Sequence, residues 1–152
     1  MFYMPFWIFL AISVLLALLS IQIKKITFID LQIIIMIVAI TMSLDMIFCK
    51  QLDLYHYVNA DYEGWYSFFA NFIISPSLGI IFIKFIPKSL RNIVLYILIW
   101  LVLLTGLELF ILKPTDIVIY HGWRPFPHSF IGYILAFLLE YIYYEILKKQ
   151  LK

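Results

Sequence analysis

The segment NIVLYILIWLVLLTGLELFIL, residues 92–112, decides the fold of this chain. It contains one charged residue, Glu108, and it reaches the length of about 20 helical residues that crossing a bilayer requires. Four other segments have the same character. We therefore predict an all-α integral membrane protein, a five-transmembrane-helix bundle that forms one domain over residues 1–152, with helices at about residues 2–23, 31–49, 65–85, 92–112 and 130–147.

The composition agrees with a membrane protein and excludes several other classes. Hydrophobic residues make up 65% of the chain and charged residues 13%, whereas soluble domains have about 25% charged residues. The net charge of +2 and the position of the basic residues at helix ends exclude a nucleic-acid-binding surface. The single cysteine, Cys49, excludes an intramolecular disulfide and a cysteine-based zinc site. No cofactor is predicted.

The Lys and Arg residues predict how the bundle is oriented. Of the 11, eight lie in the turns after the first and third helices and at the C-terminus. The turns after the second and fourth helices carry the other three, Lys50, Lys113 and Arg124. Because positive residues accumulate on the cytoplasmic side, we expect the N-terminus outside and the C-terminus in the cytoplasm. The cytoplasmic side is then a plain basic collar.

Two carboxylates mark a candidate site near the outer side. Asp45 and Glu108 each lie five residues before the lysine that ends the helix, Lys50 or Lys113, and hence roughly 7–8 Å inside the outer boundary. An unpaired carboxylate there costs about 1–3 kcal/mol, so both should point inward, toward a polar cavity or a cation. Arg124 is the expected partner because its planar guanidinium matches carboxylates and stays charged.

Two interpretations of these residues stay open. In the first, Asp45, Glu108 and Arg124 form a buried ion-paired triad that fixes the outer loop, as in a structural or assembly protein of the cell envelope. In the second, Asp45 and Glu108 line an outward-facing pocket, walled by Trp65 and Trp123, that binds or helps to transport a small polar or cationic ligand. Five spans in the lipid bilayer lack the inverted-repeat symmetry of many transporters, so transport would need a homodimer or a membrane partner protein.

The outer side also holds the three histidines, His56, His121 and His128. Three histidines with a carboxylate are chemically able to bind zinc. However, the sequence has no His-Glu-x-x-His motif, and two prolines interrupt the interval between His121 and His128. Metal binding by these histidines is kept as an alternative. A membrane enzyme that uses His121 or His128 with an acidic residue is another.

Glu140 is predicted to lie close to the middle of the membrane, about 12 Å from the cytoplasmic edge marked by Lys148. Tyr133, Phe137 and Tyr144 recur at helical spacing on the same face. Glu140 is therefore either a protonated side chain that is hydrogen-bonded to a tyrosine hydroxyl, or a member of a proton relay.

Two motifs resemble a known group of proteins. In the first, Asp45 near the end of the second helix is followed by LDLYHY, residues 52–57, and then by Trp65. In the second, Glu108 is followed by YHGWR, residues 120–124. Together they resemble an uncharacterised family of small multi-pass membrane proteins found in spore-forming Gram-positive bacteria.

The resemblance implies a single helical bundle in the bacterial plasma membrane, and it implies no particular activity. This chain departs from the family in having Arg124 where a lysine is expected, followed by a Pro-Phe-Pro run. Asp53, Tyr55 and Tyr120 join the ligand-binding candidates as positions in the motifs. The full set of motif positions is Asp45, Asp53, Tyr55, Trp65, Glu108, Tyr120, Gly122, Trp123 and Ser129.

Overall fold

The computed structural model describes residues 3–58 and 64–150, and it confirms a helical bundle. Five helices are long and apolar enough to cross a membrane, as the sequence predicts for a multi-pass membrane protein. The regular elements are α1 Met4–Ile23, α2 Phe28–Asp45, β1 Tyr55–Tyr57, α3 Trp65–Phe69, α4 Ser75–Lys84, α5 Leu90–Leu107, β2 Val118–Tyr120 and α6 Phe130–Gln150.

The helix boundaries differ from the predicted ones by a few residues. α2 begins at Phe28, earlier than predicted, because Thr27 and Asp30 form a capping box in which each side chain accepts a hydrogen bond from the other residue's backbone N–H. Residue 2, where the first helix was predicted to begin, lies outside the described residues.

Wide turns with π-helical hydrogen bonds interrupt or extend four of the five spans, and the one at Pro125–Ser129 also contains an extended residue, Phe126. In such a turn the backbone N–H bonds to the carbonyl five residues earlier, as Lys113 does to Glu108 at 3.0 Å. Turns of this kind are frequent at functional sites. All four lie toward the same end of the bundle, at Met46–Gln51, Ala70–Ile74, Glu108–Leu112 and Pro125–Ser129.

The third span, Trp65–Lys84, lies at the centre of the bundle. Half of its residues are buried, against 17–22% in the other four spans, and its α4 part contacts α1, α2 and α6. Gly79 permits this packing, since a Cβ atom there would lie 2.2 Å from Cδ1 of Ile37 on α2. The polar residues of this span therefore face protein, as the lack of hydrogen-bond partners in lipid requires.

The two short strands form an antiparallel ribbon that the sequence did not predict. Tyr55 lies opposite Tyr120, and Tyr57 lies opposite Val118. Successive side chains of a strand point to opposite faces, so Tyr55 and Tyr57 share one face and His56 takes the other. We call the end of the bundle that carries this ribbon the ribbon end, and the opposite end the lysine end.

The lysine end contains a buried ion pair and is not the plain basic collar expected from sequence. Lys84 Nζ lies 2.5 Å from Asp30 Oδ2, and both side chains are at most 6% exposed. Lys84 Nζ also donates to the carbonyl of Lys25 at 2.6 Å. The sequence pattern that could have predicted this ion pair is Thr27-x-x-Asp30. It is a helix-capping pattern, and it places the carboxylate of Asp30 beside the basic turns.

Candidate functional site

Both predicted carboxylates are buried at the ribbon end, Asp45 with 5% and Glu108 with 6% of the residue exposed. Each lies where an α-helix passes into a wide turn. The hydroxyl of Tyr55 donates to Asp45 at 3.0 Å, and that of Tyr120 donates to Glu108 at 2.5 Å. Because Tyr55 and Tyr120 are opposite each other in the ribbon, one pair of strands covers both carboxylates.

Glu108 accepts hydrogen bonds from three hydroxyl groups. Its Oε1 accepts from Tyr120 and, at 2.7 Å, from Ser129, and its Oε2 accepts from Tyr133 at 3.1 Å. Trp123 extends the network, since its indole N–H donates to Ser129 Oγ at 2.7 Å. The donors come from β2 and from the start of the last span, so Glu108 ties the loop between them to α5.

Asp45 lies in the wall of a pocket of about 320 Å³. Trp65 and Phe68 line it as well, and both are exposed residues, with 57% and 39% of their surface accessible. The pocket thus combines a carboxylate with aromatic and thioether groups. Its lining is Met42, Asp45, Met46, Lys50, Gly64, Trp65, Ser67, Phe68 and Asn71, and Glu108 is not part of it.

Tyr57 links the two carboxylates electrostatically. Burial, followed by the nearby negative charges of Asp45 and Glu108, raises the pKa of Tyr57 well above its usual value. Burial likewise raises the pKa of Tyr55 and the pKa of Tyr120, and the carboxylate beside each adds to the shift. All three tyrosines therefore remain neutral at neutral pH, and Tyr55 and Tyr120 act as hydrogen-bond donors to the carboxylates.

The predicted triad of Asp45, Glu108 and Arg124 is not formed. Among the described residues, no carboxylate lies within 4.0 Å of the Arg124 guanidinium, and the side chain is exposed. Neutral hydroxyl groups, and not the guanidinium of Arg124, are the hydrogen-bond partners of Glu108. The register of the two strands places the Tyr120 hydroxyl beside this carboxylate. Trp123 does not line the Asp45 pocket either, and its ring lies 5.0 Å from that of Phe48.

The structure does not bring together the three histidines that the sequence offered as an alternative metal site. His121 Nδ1 lies 3.2 Å from Asp53 Oδ2, and the rings of His56 and His121 are 4.5 Å apart. His128 is separate, and its Nδ1 accepts a hydrogen bond from the Arg124 N–H at 3.0 Å. Burial, followed by the charge of His121, lowers the pKa of His56, while Asp53 opposes the shift.

Glu140 does not receive the tyrosine hydrogen bond expected from sequence. It is 8% exposed, and its Oε2 has no hydrogen-bond partner among the described residues. Tyr133, which shares its helix face, donates instead to Glu108. The carboxyl group of Glu140 packs against Gly79, where a Cβ atom would lie 3.4 Å from Oε2.

Several residues of the site could not be assigned from sequence. The sequence placed Tyr133 on the helix face of Glu140, but its hydroxyl donates a hydrogen bond to Glu108. Met42, Met46 and Phe68 are three of many apolar residues in their spans, and nothing in the sequence distinguishes those that line the pocket. Asn71 carries a usable signal, because a polar residue inside a span must face protein.

No protein-family model matches this chain, and the comparisons with curated proteins and with solved structures found no significant match. The functional interpretation therefore rests on the geometry around Asp45 and Glu108.

Proposed function

We propose that this chain binds a small organic cation in the pocket beside Asp45, on the outer side of a bacterial plasma membrane. The observation that carries the proposal is a buried carboxylate in the wall of a pocket of about 320 Å³ that two exposed aromatic residues also line. The outward orientation follows from the accumulation of lysines at the opposite end. The resemblance of the two motifs to a bacterial membrane-protein family supports the placement of this chain in a bacterial plasma membrane.

The lining favours an organic ammonium ion over an inorganic cation. A cation within about 6 Å of an aromatic ring gains roughly 0.5–2 kcal/mol, and Trp65 and Phe68 offer two such rings. Met42 and Met46 supply polarizable apolar surface for the alkyl groups of the ligand. A hydrated metal ion would gain little from these side chains.

Lys50 allows a test of the sign of the ligand's charge. It also lines the pocket, so its positive charge opposes a bound cation. Lys50→Gln should therefore strengthen the binding of a cation and weaken the binding of an anion. The direction of this change is independent of any effect of the Asp45 variants.

Binding of tetramethylammonium to the full chain in detergent, measured by calorimetry, tests the proposal. Asp45→Asn should weaken binding at least about tenfold, equivalent to roughly 1.4 kcal/mol. Asp116→Asn is the matched control, since Asp116 is an exposed acid in the loop before β2. Equal losses in both variants, or weaker binding by Lys50→Gln, would show that the pocket is not the cation site.

A structural or assembly role in the cell envelope is the second candidate, and the Glu108 network favours it. A carboxylate that accepts from three hydroxyls anchors a loop and has little capacity left for a ligand. In this role the chain would act as a homodimer or with a membrane partner protein. The same calorimetry would then detect no binding of tetramethylammonium to the unaltered chain.

A further inference from the structure

The two faces of the β-ribbon carry different chemistry. Tyr55 and Tyr57 point toward the carboxylates, so His56 between them points away from the bundle. His121 follows Tyr120 and takes this outer face as well. His56 lies opposite Ile119, which places His121 at the diagonal position across the ribbon. The two imidazole rings accordingly lie 4.5 Å apart.

Asp53 brings a carboxylate to the same two rings. It lies just before β1 and has a φ of 48°, in the left-handed region. Its Oδ2 is 3.2 Å from His121 Nδ1, and its Oδ1 is 3.9 Å from His56 Nδ1. One ligand atom from each of the three residues can be chosen so that all lie within 4.8 Å of one another.

These separations suit a transition-metal ion. Zn²⁺ takes imidazole nitrogen and carboxylate oxygen at about 2.0–2.2 Å, which in a tetrahedral site puts neighbouring ligand atoms roughly 3.3–3.5 Å apart. The observed 3.2 and 3.9 Å, which involve different oxygens of Asp53, lie on either side of this range, and the three ligand atoms, all within 4.8 Å of one another, would have to move closer by up to about 1.5 Å through side-chain rotation. Imidazole and carboxylate are ligands that zinc and its first-row neighbours accept, and three protein ligands leave a position for water.

The backbone holds the donors in place, and water can reach them. The Leu54 carbonyl accepts hydrogen bonds from the N–H groups of His121, Gly122 and Trp123 at 2.9, 3.0 and 3.0 Å. These hydrogen bonds hold the end of β2 against Leu54, the residue between Asp53 and β1. The side chain of Asp53 is 71% exposed and that of His121 is 46% exposed, so an ion can enter without rearrangement of the bundle.

We propose that Asp53, His56 and His121 form a binding site for a divalent transition-metal ion such as Zn²⁺, separate from the Asp45 pocket. His128 is excluded from the site because its Nδ1 is engaged with the Arg124 N–H. The arrangement replaces the three-histidine group considered from sequence by two histidines and an aspartate. It does not depend on the organic-cation proposal, because the two sites share no residue.

Zinc retention by the full chain, purified in detergent without a polyhistidine tag, tests this site. After loading with Zn²⁺ and dialysis, atomic emission should find one zinc per chain. Asp53→Asn, His56→Ala and His121→Ala should each lower the affinity by more than about tenfold, the smallest loss typical of altering even the surroundings of metal ligands. His128→Ala should bind zinc like the unaltered chain.

Two results would overturn the site. One is dialysis that removes all zinc from the unaltered chain, which would leave the Asp53–His121 contact as a simple hydrogen bond. The other is an equal loss of affinity in His128→Ala. The visible absorption of bound Co²⁺ gives a second readout, and thermal unfolding checks that each variant is folded. If His56→Ala fails to fold, the exposed residues Asp53 and His121 decide the outcome.

Discussion

Asp45 and Glu108 occupy equivalent places in two helices, yet their surroundings differ. Each precedes its closing lysine by the same interval, each is buried, and each accepts a hydrogen bond from one tyrosine of the same ribbon. Glu108 receives two further hydroxyl donors, from Ser129 and Tyr133. Asp45 also has the side chains of Ser67 and Asn71 within hydrogen-bonding reach, but it borders the pocket, and Glu108 does not. Both residues lie at the same depth in their helices, so depth does not explain the difference. The neighbouring spans decide whether the carboxylate anchors a loop or remains available to a ligand.

The largest expected effect comes from removing each carboxylate in turn. Glu108→Ala should lower the free energy of unfolding by about 3–5 kcal/mol, because one buried and two partly buried hydroxyl donors lose a charged acceptor. Asp45→Ala should cost less, about 1–2 kcal/mol, because the pocket leaves room for water beside the polar groups of Tyr55, Ser67 and Asn71. Reversible unfolding in mixed detergent micelles measures both values. Equal losses would erase the distinction between the two regions.

Glu140 sharpens the comparison, since it is a buried carboxyl group whose Oε2 has no donor among the described residues. Replacing it with an apolar side chain of similar size removes a polar group that is buried without compensation. Glu140→Met should therefore raise the free energy of unfolding by about 1 kcal/mol, opposite in sign to the loss at Glu108.

Glu145→Met is the control for Glu140→Met, because Glu145 is partly exposed and pairs with Lys148 at 3.3 Å. Its stability should change by no more than about 0.5 kcal/mol. Destabilisation by Glu140→Met would indicate that Glu140 has a stabilising partner and that the number of hydroxyl donors does not explain the behaviour of Glu108.

Much of this arrangement follows from local properties of the sequence. The spans could be predicted because hydrophobic length is a local property, and the burial of Asp45 and Glu108 because an unpaired carboxylate in a span is costly. The donors to these carboxylates could not be predicted. Tyr120 reaches Glu108 through a pairing of two three-residue strands, and such short strands leave no periodic pattern in the sequence.

The assignment of Arg124 as the partner of Glu108 failed for a related reason. Charge complementarity identified the most favourable donor in the loop, but the backbone decides which side chain reaches the carboxylate. The wide turn at Pro125–Ser129 brings Ser129 to Glu108, while Arg124 lies before that turn and is exposed. Arg124 and Phe126 are extended, with φ values of −130° and −122°, so spacing arguments based on a regular helix do not apply to this segment.

The smallest expected effect per residue is on stability in alkali, and it tests the tyrosines that both regions share. Since the folded state raises the pKa of Tyr55, Tyr57 and Tyr120, it keeps protons that the unfolded chain releases above about pH 10. The stability from these groups is fully present below that pH and falls as the pH rises further. The loss should stay below about 1 kcal/mol per tyrosine up to pH 10.5.

Unfolding measured between pH 8 and about pH 10.5 should show this decline in stability, and Tyr57→Phe should reduce the slope of stability against pH. An unchanged slope in that variant would mean that the folded state does not raise the pKa of Tyr57, and the electrostatic link between the two regions through Tyr57 would then be withdrawn.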